Sequence, residues 1–272
     1  MFKNIKISFL LCLMLILQSG CASVPITGRK QFVITAPSEL NAQAELSYRK
    51  ILAEANLSED GIKLRMLRKI GKDIAIAAED FLRQNGQANR IRDYAWEFNL
   101  IQEDNIINAF CLPGGKVAVY TGIMKLADDE NALAVIVAHE IAHAIANHGG
   151  ERMTQMILAQ FGQKTLSAAM EESAQSTKEF LSLAYGLGTN LGIVLPYSRL
   201  HENEADHIGL ILMAKAGYNP NSAIDFWKKM ERQKGNNPPE FLSTHPVAQT
   251  RIDNIKMLLP EALEYYDKQV KK

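Results

Sequence analysis

The sequence predicts an α+β fold: a mostly helical domain with one small β-sheet beside the helix that carries His139 to His143. Three observations predict it. Apolar residues recur at helical spacing through most of the chain after residue 37. Between Tyr94 and Tyr120 that spacing gives way to three short runs of strand-like pattern. The run Glu130 to Ala146 (ENALAVIVAHEIAHAIA) is apolar almost all round, the pattern of a helix buried on every side.

The elements follow in order. Residues 1–20 predict a signal peptide. Lys3 and Lys6 give a basic start, and Ile7 to Leu17 form an apolar core of eleven residues, too short to cross a bilayer as a helix. Ser19-Gly20-Cys21 then resembles a bacterial lipoprotein signal, in which the Cys becomes the lipidated first residue. Gln18 stands where an aliphatic residue is usual, with Leu17 one place further off. Residues 21–272 are expected to form a single domain. Val24 to Ile34 reads as an extended entry segment with a turn at Thr27-Gly28. A helix is expected from Pro37 to about Ala55, N-capped by Ser38, and a second from about Asp60 to Leu82.

Trp96 to Ile101, Asn108 to Leu112 and Lys116 to Tyr120 supply the strands, the second closed by Pro113-Gly114-Gly115. An edge of that sheet either pairs with an extended peptide backbone or serves structure alone. Thr121 to Ala127 suggests a short helix. The buried helix is expected from Glu130 to about His148, with Asp128, Asp129 and Glu130 at its positive end and Gly149-Gly150 as its stop. His148 would then complement the dipole at its C-terminal end. Met153 to Ala169 is a further helical run. Leu181 to Leu195 is apolar but broken by three Gly, so it suits a flap or packing on the core rather than a membrane span. Helices follow over Arg199 to Ala216, Asn221 to about Gln233, Pro246 to about Leu259 and Pro260 to about Lys268, with a loop over Gly235 to Pro239.

Composition narrows the partners. Thirty basic and thirty acidic residues cancel, so the strong field of a nucleic-acid binder is absent and no nucleic acid is expected. Of three Cys, Cys12 lies in the signal and Cys21 at its end. Cys111 alone cannot form an internal disulfide and reads as a small buried hydrophobe.

His139-Glu140-Ile141-Ala142-His143 is an H-E-x-x-H run. On a helix, positions i and i+4 share a face, so the two imidazoles can hold one cation, with Zn²⁺ at about 2.0–2.1 Å. Glu140 stands near that cation, free to take a proton from a water. Left unpaired in a buried helix, each of the three would cost several kcal/mol. One zinc per chain answers all three. A catalytic zinc takes three protein ligands. The helix from Arg199 offers His201, Glu202, Glu204, Asp206 and His207. Glu202 and Asp206 share a face, and Glu204 points elsewhere. With Glu202 on the metal, Asp206 is placed to accept a hydrogen bond from a ligand imidazole. His201 or His207 is the alternative third ligand on residue type alone. Ala205 and Gly209 permit close approach of the two helices.

The combined pattern is specific. His139-Glu140-x-x-His143 is followed by Ser198-Arg199-x-x-Glu202-x-x-Ala205-Asp206-x-x-Gly209. Asn108-Ala109-Phe110, Pro113-Gly114-Gly115, Thr121-Gly122 and Ser243-Thr244-His245-Pro246 with Arg251-Ile252 complete it. Together these resemble the metallopeptidases of the HtpX and CAAX-prenyl-protease superfamily. The resemblance implies a gluzincin-type fold, Glu202 as third zinc ligand, and hydrolysis of peptide bonds with Glu140 as base and then acid. His245 or Arg251 would assist the oxyanion. In related periplasmic enzymes the His of the T-H-P segment can approach the zinc and hold the enzyme inactive. His245 matches that position; the alternative is a cap for a helix from Pro246.

The opening Cys21-Ala22-Ser23-Val24-Pro25-Ile26-Thr27-Gly28-Arg29-Lys30-Gln31 is similar to the exported lipoprotein branch of that superfamily. That implies no membrane helices and a periplasmic place at the outer membrane, through a lipid on Cys21. It also implies misfolded or unassembled envelope proteins as substrates, a quality-control role. The alternative is a lipoprotein chaperone or assembly factor for outer-membrane proteins, with incidental proteolysis.

Overall fold

The computed structural model describes residues 21–169, 199–233, 239–246 and 249–271. The chain enters as a hairpin of β1 (Cys21–Ser23) and β2 (Lys30–Phe32), with Ala22 opposite Gln31. Ile26 and Gly28 turn it with φ of 71° and 67°. Helix α1 (Pro37–Glu54) follows. Its N-cap is Ala36, without a side-chain cap, rather than Ser38. Pro37 supplies the fixed φ that suits a first helical position, so the helix starts two residues earlier than a Ser38 cap would set. Helix α2 (Gly61–Gln84) is capped by Asp60, which accepts from the N–H groups of Ile62 and Lys63.

Three strands form where the pattern changes: β3 (Glu97–Ile101), β4 (Ala109–Leu112) and β5 (Lys116–Tyr120). Their order is β3-β5-β4, with β3 parallel and β4 antiparallel to the central β5. Gly114 and Gly115, at φ of 81° and 82°, turn the chain from β4 into β5. Instead of a helix over Thr121 to Ala127, one 3₁₀ turn covers Ile123–Lys125.

Helix α3 (Glu130–Ile145) is the centre of the core. Leu133, Ile136, Val137, Ala138, Ile141 and Ala142 are wholly buried, and α2, β4 and two later helices pack around it. Asp129 caps it, accepting from Ala132 N at 2.7 Å. The helix stops before His148. Asn147 adopts a left-handed φ of 55°, and α4 (His148–Ala169) begins at once, with Gly149 and Gly150 inside it. Asn tolerates that conformation better than most residues, so a single residue suffices for the corner.

Helix α5 (Arg199–Lys215) crosses α3 closely. A Cβ at Gly209 would lie 3.2 Å from the Ala138 carbonyl and the His139 nitrogen. Helix α6 (Ser222–Glu231), a short unanticipated α7 (Glu240–Thr244) and α8 (Gln249–Val270) close the domain. Pro260 lies inside α8 instead of dividing it. Its ring costs one helical hydrogen bond, which burial of Ile255, Leu259 and Ala262 offsets. The fold is thus the mostly helical α+β domain with a small three-stranded sheet. Among the described residues no helix is long and apolar enough to cross a membrane. The run Leu181 to Leu195 and residues 1–20 lie outside the described residues.

Candidate metal centre

Three helices and a loop deliver the site. Helix α3 carries His139, Glu140 and His143, α5 carries Glu202 and Asp206, the residue after α7 is His245, and α8 carries Arg251. Each is at most 5% exposed. The Nε2 atoms of His139 and His143 lie 3.1 Å apart. Glu202 Oε2 is 3.4 Å from His139 Nε2, and its Oε1 is 3.4 Å from His143 Nε2. His245 Nδ1 is 3.3 Å from His139 Nε2 and 3.0 Å from Glu202 Oε1. Four ligands at about 2.0–2.1 Å from one tetrahedral ion would stand about 3.3–3.4 Å from one another. The observed spacings, 3.0–3.4 Å, are close to those edges.

The hydrogen bonds around the imidazoles point the same way. His139 Nδ1 donates to Asp206 Oδ1 at 3.1 Å, which leaves its Nε2 with a lone pair. His143 Nδ1 lies 2.9 Å from His148 Nδ1, and His148 Nε2 lies 3.0 Å from Glu204 Oε2. Ionised Glu204 accepts, so His148 carries its proton on Nε2 and accepts from His143 Nδ1–H. The second lone pair therefore sits on His143 Nε2. Two imidazole lone pairs facing each other at 3.1 Å, with a carboxylate beside them, repel unless a cation lies between.

Glu140 stands beside this group rather than in it. Its Oε2 accepts from the Cys111 backbone N–H at 3.1 Å, which ties it to edge strand β4. Oε1 has no hydrogen-bond partner among the described residues, though His245 Nε2 is 3.5 Å away. Arg251 lies behind the ligands. Its Nε and Nη2 grip Asp206 at 2.5 and 2.8 Å, Nη1 reaches Glu202 Oε2 at 2.7 Å, and the guanidinium lies 3.8 Å from the Trp227 ring centre. A guanidinium so held has no donor turned toward a substrate. That differs from the expectation that Arg251 would assist an oxyanion.

Burial pushes the Glu140 carboxyl up to about 7; His245 opposes this and the Glu202 charge adds to it. Glu202 is also penalised by burial, yet Arg251 and His245 outweigh that and hold it well below the usual carboxylate range. Asp206 is depressed in the same way by Arg251. Burial drives His143 well below the ordinary imidazole value. In His139 the nearby Asp206 and Glu202 carboxylates overcome burial and leave it raised. The Cys111 thiol is pushed well up by burial, as an inert buried hydrophobe requires.

A cleft of about 710 Å³ opens beside the group, lined by Arg90, Tyr94, Cys111, Pro113, His143 and Asn147 among others. It runs along the end of β4, an edge strand of the sheet.

A sequence profile of peptidase family M48 matches residues 72–259, which hold every residue of this group. The chain belongs to peptidase family M48. Among its relatives is the mitochondrial metalloendopeptidase OMA1 of Schizosaccharomyces pombe, 32% identical over 88% of this chain and 66% of the relative. Human metalloendopeptidase OMA1 is 31% identical over 88% of this chain and 46% of its own length. The beta-barrel assembly-enhancing protease of Yersinia pestis is 26% identical over 79% of this chain and 43% of its own. The chain thus spans about two thirds of the fission-yeast protein and under half of the other two. M48 metallopeptidases use zinc, and here His139, His143, Glu202 and His245 bring one donor atom each within 4.8 Å, a group able to hold one ion.

The rival third ligands stand elsewhere in this M48 domain. His201 Nε2 is 3.1 Å from Glu151, and His207 Nε2 is 2.7 Å from Glu261 at the surface. His245 is not the cap of a helix from Pro246. It ends α7, its N–H donating to Phe241 O at 2.8 Å, and its ring reaches the group. His148 is the residue that sequence reasoning misplaced. Five residues apart on an unbroken helix, His143 and His148 would face different ways; the corner at Asn147 brings them together. Asn at a helix stop was the available signal.

Proposed function

We propose that this M48 chain is a zinc-dependent endopeptidase of the cell envelope that hydrolyses misfolded or unassembled envelope proteins. The observation that carries the chemistry is the tetrahedral spacing of His139, His143 and Glu202, with a buried carboxylate, Glu140, held beside them by Cys111 N–H. When bound there, zinc would supply an acidified water, with a pKa of about 7, and a positive centre for the carbonyl oxygen. Glu140 takes the proton of the attacking water on Oε1 and passes it to the leaving amine. Asp206 keeps His139 in the tautomer that offers Nε2, and Arg251 holds Asp206 and Glu202 in place. The β4 edge offers backbone groups to an extended chain lying in the cleft. His245 fills the position a substrate needs, so its withdrawal is required for activity and leaves its ring able to donate to the oxyanion.

The envelope assignment draws on the signal-like residues 1–20 with Cys21 as lipid carrier and residues 21–272 as the exported domain. The Yersinia relative, named for β-barrel assembly, supports it. The OMA1 relatives are named as mitochondrial and speak to the peptidase chemistry alone. That Yersinia name also favours a second reading, an assembly factor for outer-membrane proteins with incidental proteolysis.

Glu140→Gln separates the two. The variant should bind one zinc per chain, lose cleavage of casein, and fail to complement a deletion strain. Undiminished casein cleavage by the pure variant contradicts the base assignment. Full complementation without cleavage favours the assembly role.

A further inference from the structure

The N-terminal hairpin is more than an entry segment. Thr27 and Arg29 lie on its turn and both reach Glu204 of α5: Thr27 Oγ1 donates to Oε1, and Arg29 Nε donates to Oε2 at 2.8 Å. Arg29 also clamps Glu151 of α4 with a two-pronged contact, Nη1–Oε1 at 3.0 Å and Nη2–Oε2 at 2.7 Å. Gln31 Nε2 donates to Ala146 O at 2.6 Å, at the corner between α3 and α4, and Ile34 N donates to Thr154 Oγ1 at 3.1 Å. The hairpin is therefore strapped across α3, α4 and α5 where they meet.

From Glu204 the bonds continue inward. His148, wholly buried, donates from Nε2 to Glu204 and accepts on Nδ1 from His143 Nδ1–H. His201 stacks on the His148 ring at 4.4 Å between centres and 25° between planes, and its own Nε2 meets Glu151. An anion at the far end of an imidazole chain makes each ring a better acceptor, and so makes the last ring a stronger metal ligand. Asp206 does this for His139 through one bond. For His143 the contact on Nδ1 is with His148, and through that ring the chain ends on the Glu204 carboxylate.

We propose that His148, Glu204 and Arg29 form a positioning relay for His143, so that the N-terminal strap is a working part of the metal site. The inference rests on the reading of His143 as a zinc ligand. The relay consists of positioning residues, since none touches a substrate.

The test is the zinc dissociation constant of the full chain, measured by competition with a chromogenic chelator, with circular dichroism of the zinc-free protein as the folding control. His148→Phe keeps the ring's size and removes both nitrogens; zinc binding should weaken by about 10–100-fold. His148→Asn keeps an acceptor facing His143 but loses the link to Glu204, and should recover part of that loss. Arg29→Met, at the outer end, should weaken binding by about 3–10-fold, with Arg29→Lys recovering part. The visible bands of the Co²⁺-loaded protein should shift in His148→Phe and return part of the way in His148→Asn.

Folded His148→Phe and Arg29→Met variants that bind zinc within about twofold of the parent overturn the relay. So does a His148→Asn variant as weak as His148→Phe, which would make the loss one of packing. Should His148→Phe fail to fold, Arg29→Met decides, because its side chain lies at the partly exposed rim. A parent chain that binds no zinc defeats the metal-site reading itself and is told apart by that control.

Discussion

Arg251→Met is the most revealing single change. Arg251 is 3% exposed and is the cation nearest to two buried carboxylates, Asp206 and Glu202. Removing one partner of a buried ion pair leaves an uncompensated charge and costs about 3–5 kcal/mol. In a domain of this size each kcal/mol lowers the melting temperature by about 2–4 °C, so the zinc-free variant should melt roughly 6–20 °C below the parent. Zinc would compensate Glu202 but not Asp206, so the deficit should shrink, without vanishing, when the metal is present. A second change refines the test. Asp206→Asn removes the charge that Arg251 neutralises, so the double variant should be less damaged than the two single losses added, by at least about 1 kcal/mol. Thermal melts followed by circular dichroism, with and without zinc, give all these quantities. A drop under about 3 °C in the zinc-free protein, or simple additivity in the double variant, refutes the account of Arg251 as the buried counter-ion.

Three other outcomes are expected. Gly209→Ala sets a methyl 3.2 Å from the Ala138 and His139 backbone, so α5 must move from α3 by a few tenths of an ångström. Because His139 and Glu202 sit on those two helices, zinc affinity should fall even if the gain in helix propensity, up to about 1 kcal/mol, offsets the strain; unchanged affinity contradicts it. Chelation should lower the melting temperature by roughly 8–16 °C if zinc was present near a thousand times its dissociation constant, since such binding is worth about 4 kcal/mol; equal melts with and without chelator count against a tight site.

On the alkaline side, burial raises the Tyr218 hydroxyl to about 12; Lys69 at 3.0 Å opposes this and Asp73 at 2.8 Å adds to it. A raised pKa means the folded state keeps a proton that the unfolded state loses above about 10. That stability is present below pH 10 and is lost as the pH rises toward 12, a decline that Tyr218→Phe should flatten in urea titrations.

Much of this was legible in the residues. The apolar run around His139 could only be a buried helix, and the three β-rich segments between Trp96 and Tyr120 paired as strands, although only β4 alternates in burial and the central β5 is buried on both faces. Glu202 and Asp206 met the site together because i and i+4 share a face. What escaped was set by single backbone corners and by distance along the chain. The left-handed Asn147 ended α3 three residues early and turned His148 inward. Arg29 and Glu204 are 175 positions apart, and no local pattern announces such a contact. Pro260 was expected to divide a helix that tertiary burial keeps whole.

The most direct test of the zinc site is X-ray absorption at the zinc edge of the loaded protein. Two or three imidazoles and a carboxylate predict nitrogen and oxygen scatterers at about 2.0–2.1 Å and no sulfur. A sulfur shell at about 2.3 Å would bring Cys111 into the coordination sphere and contradict the proposed ligand set.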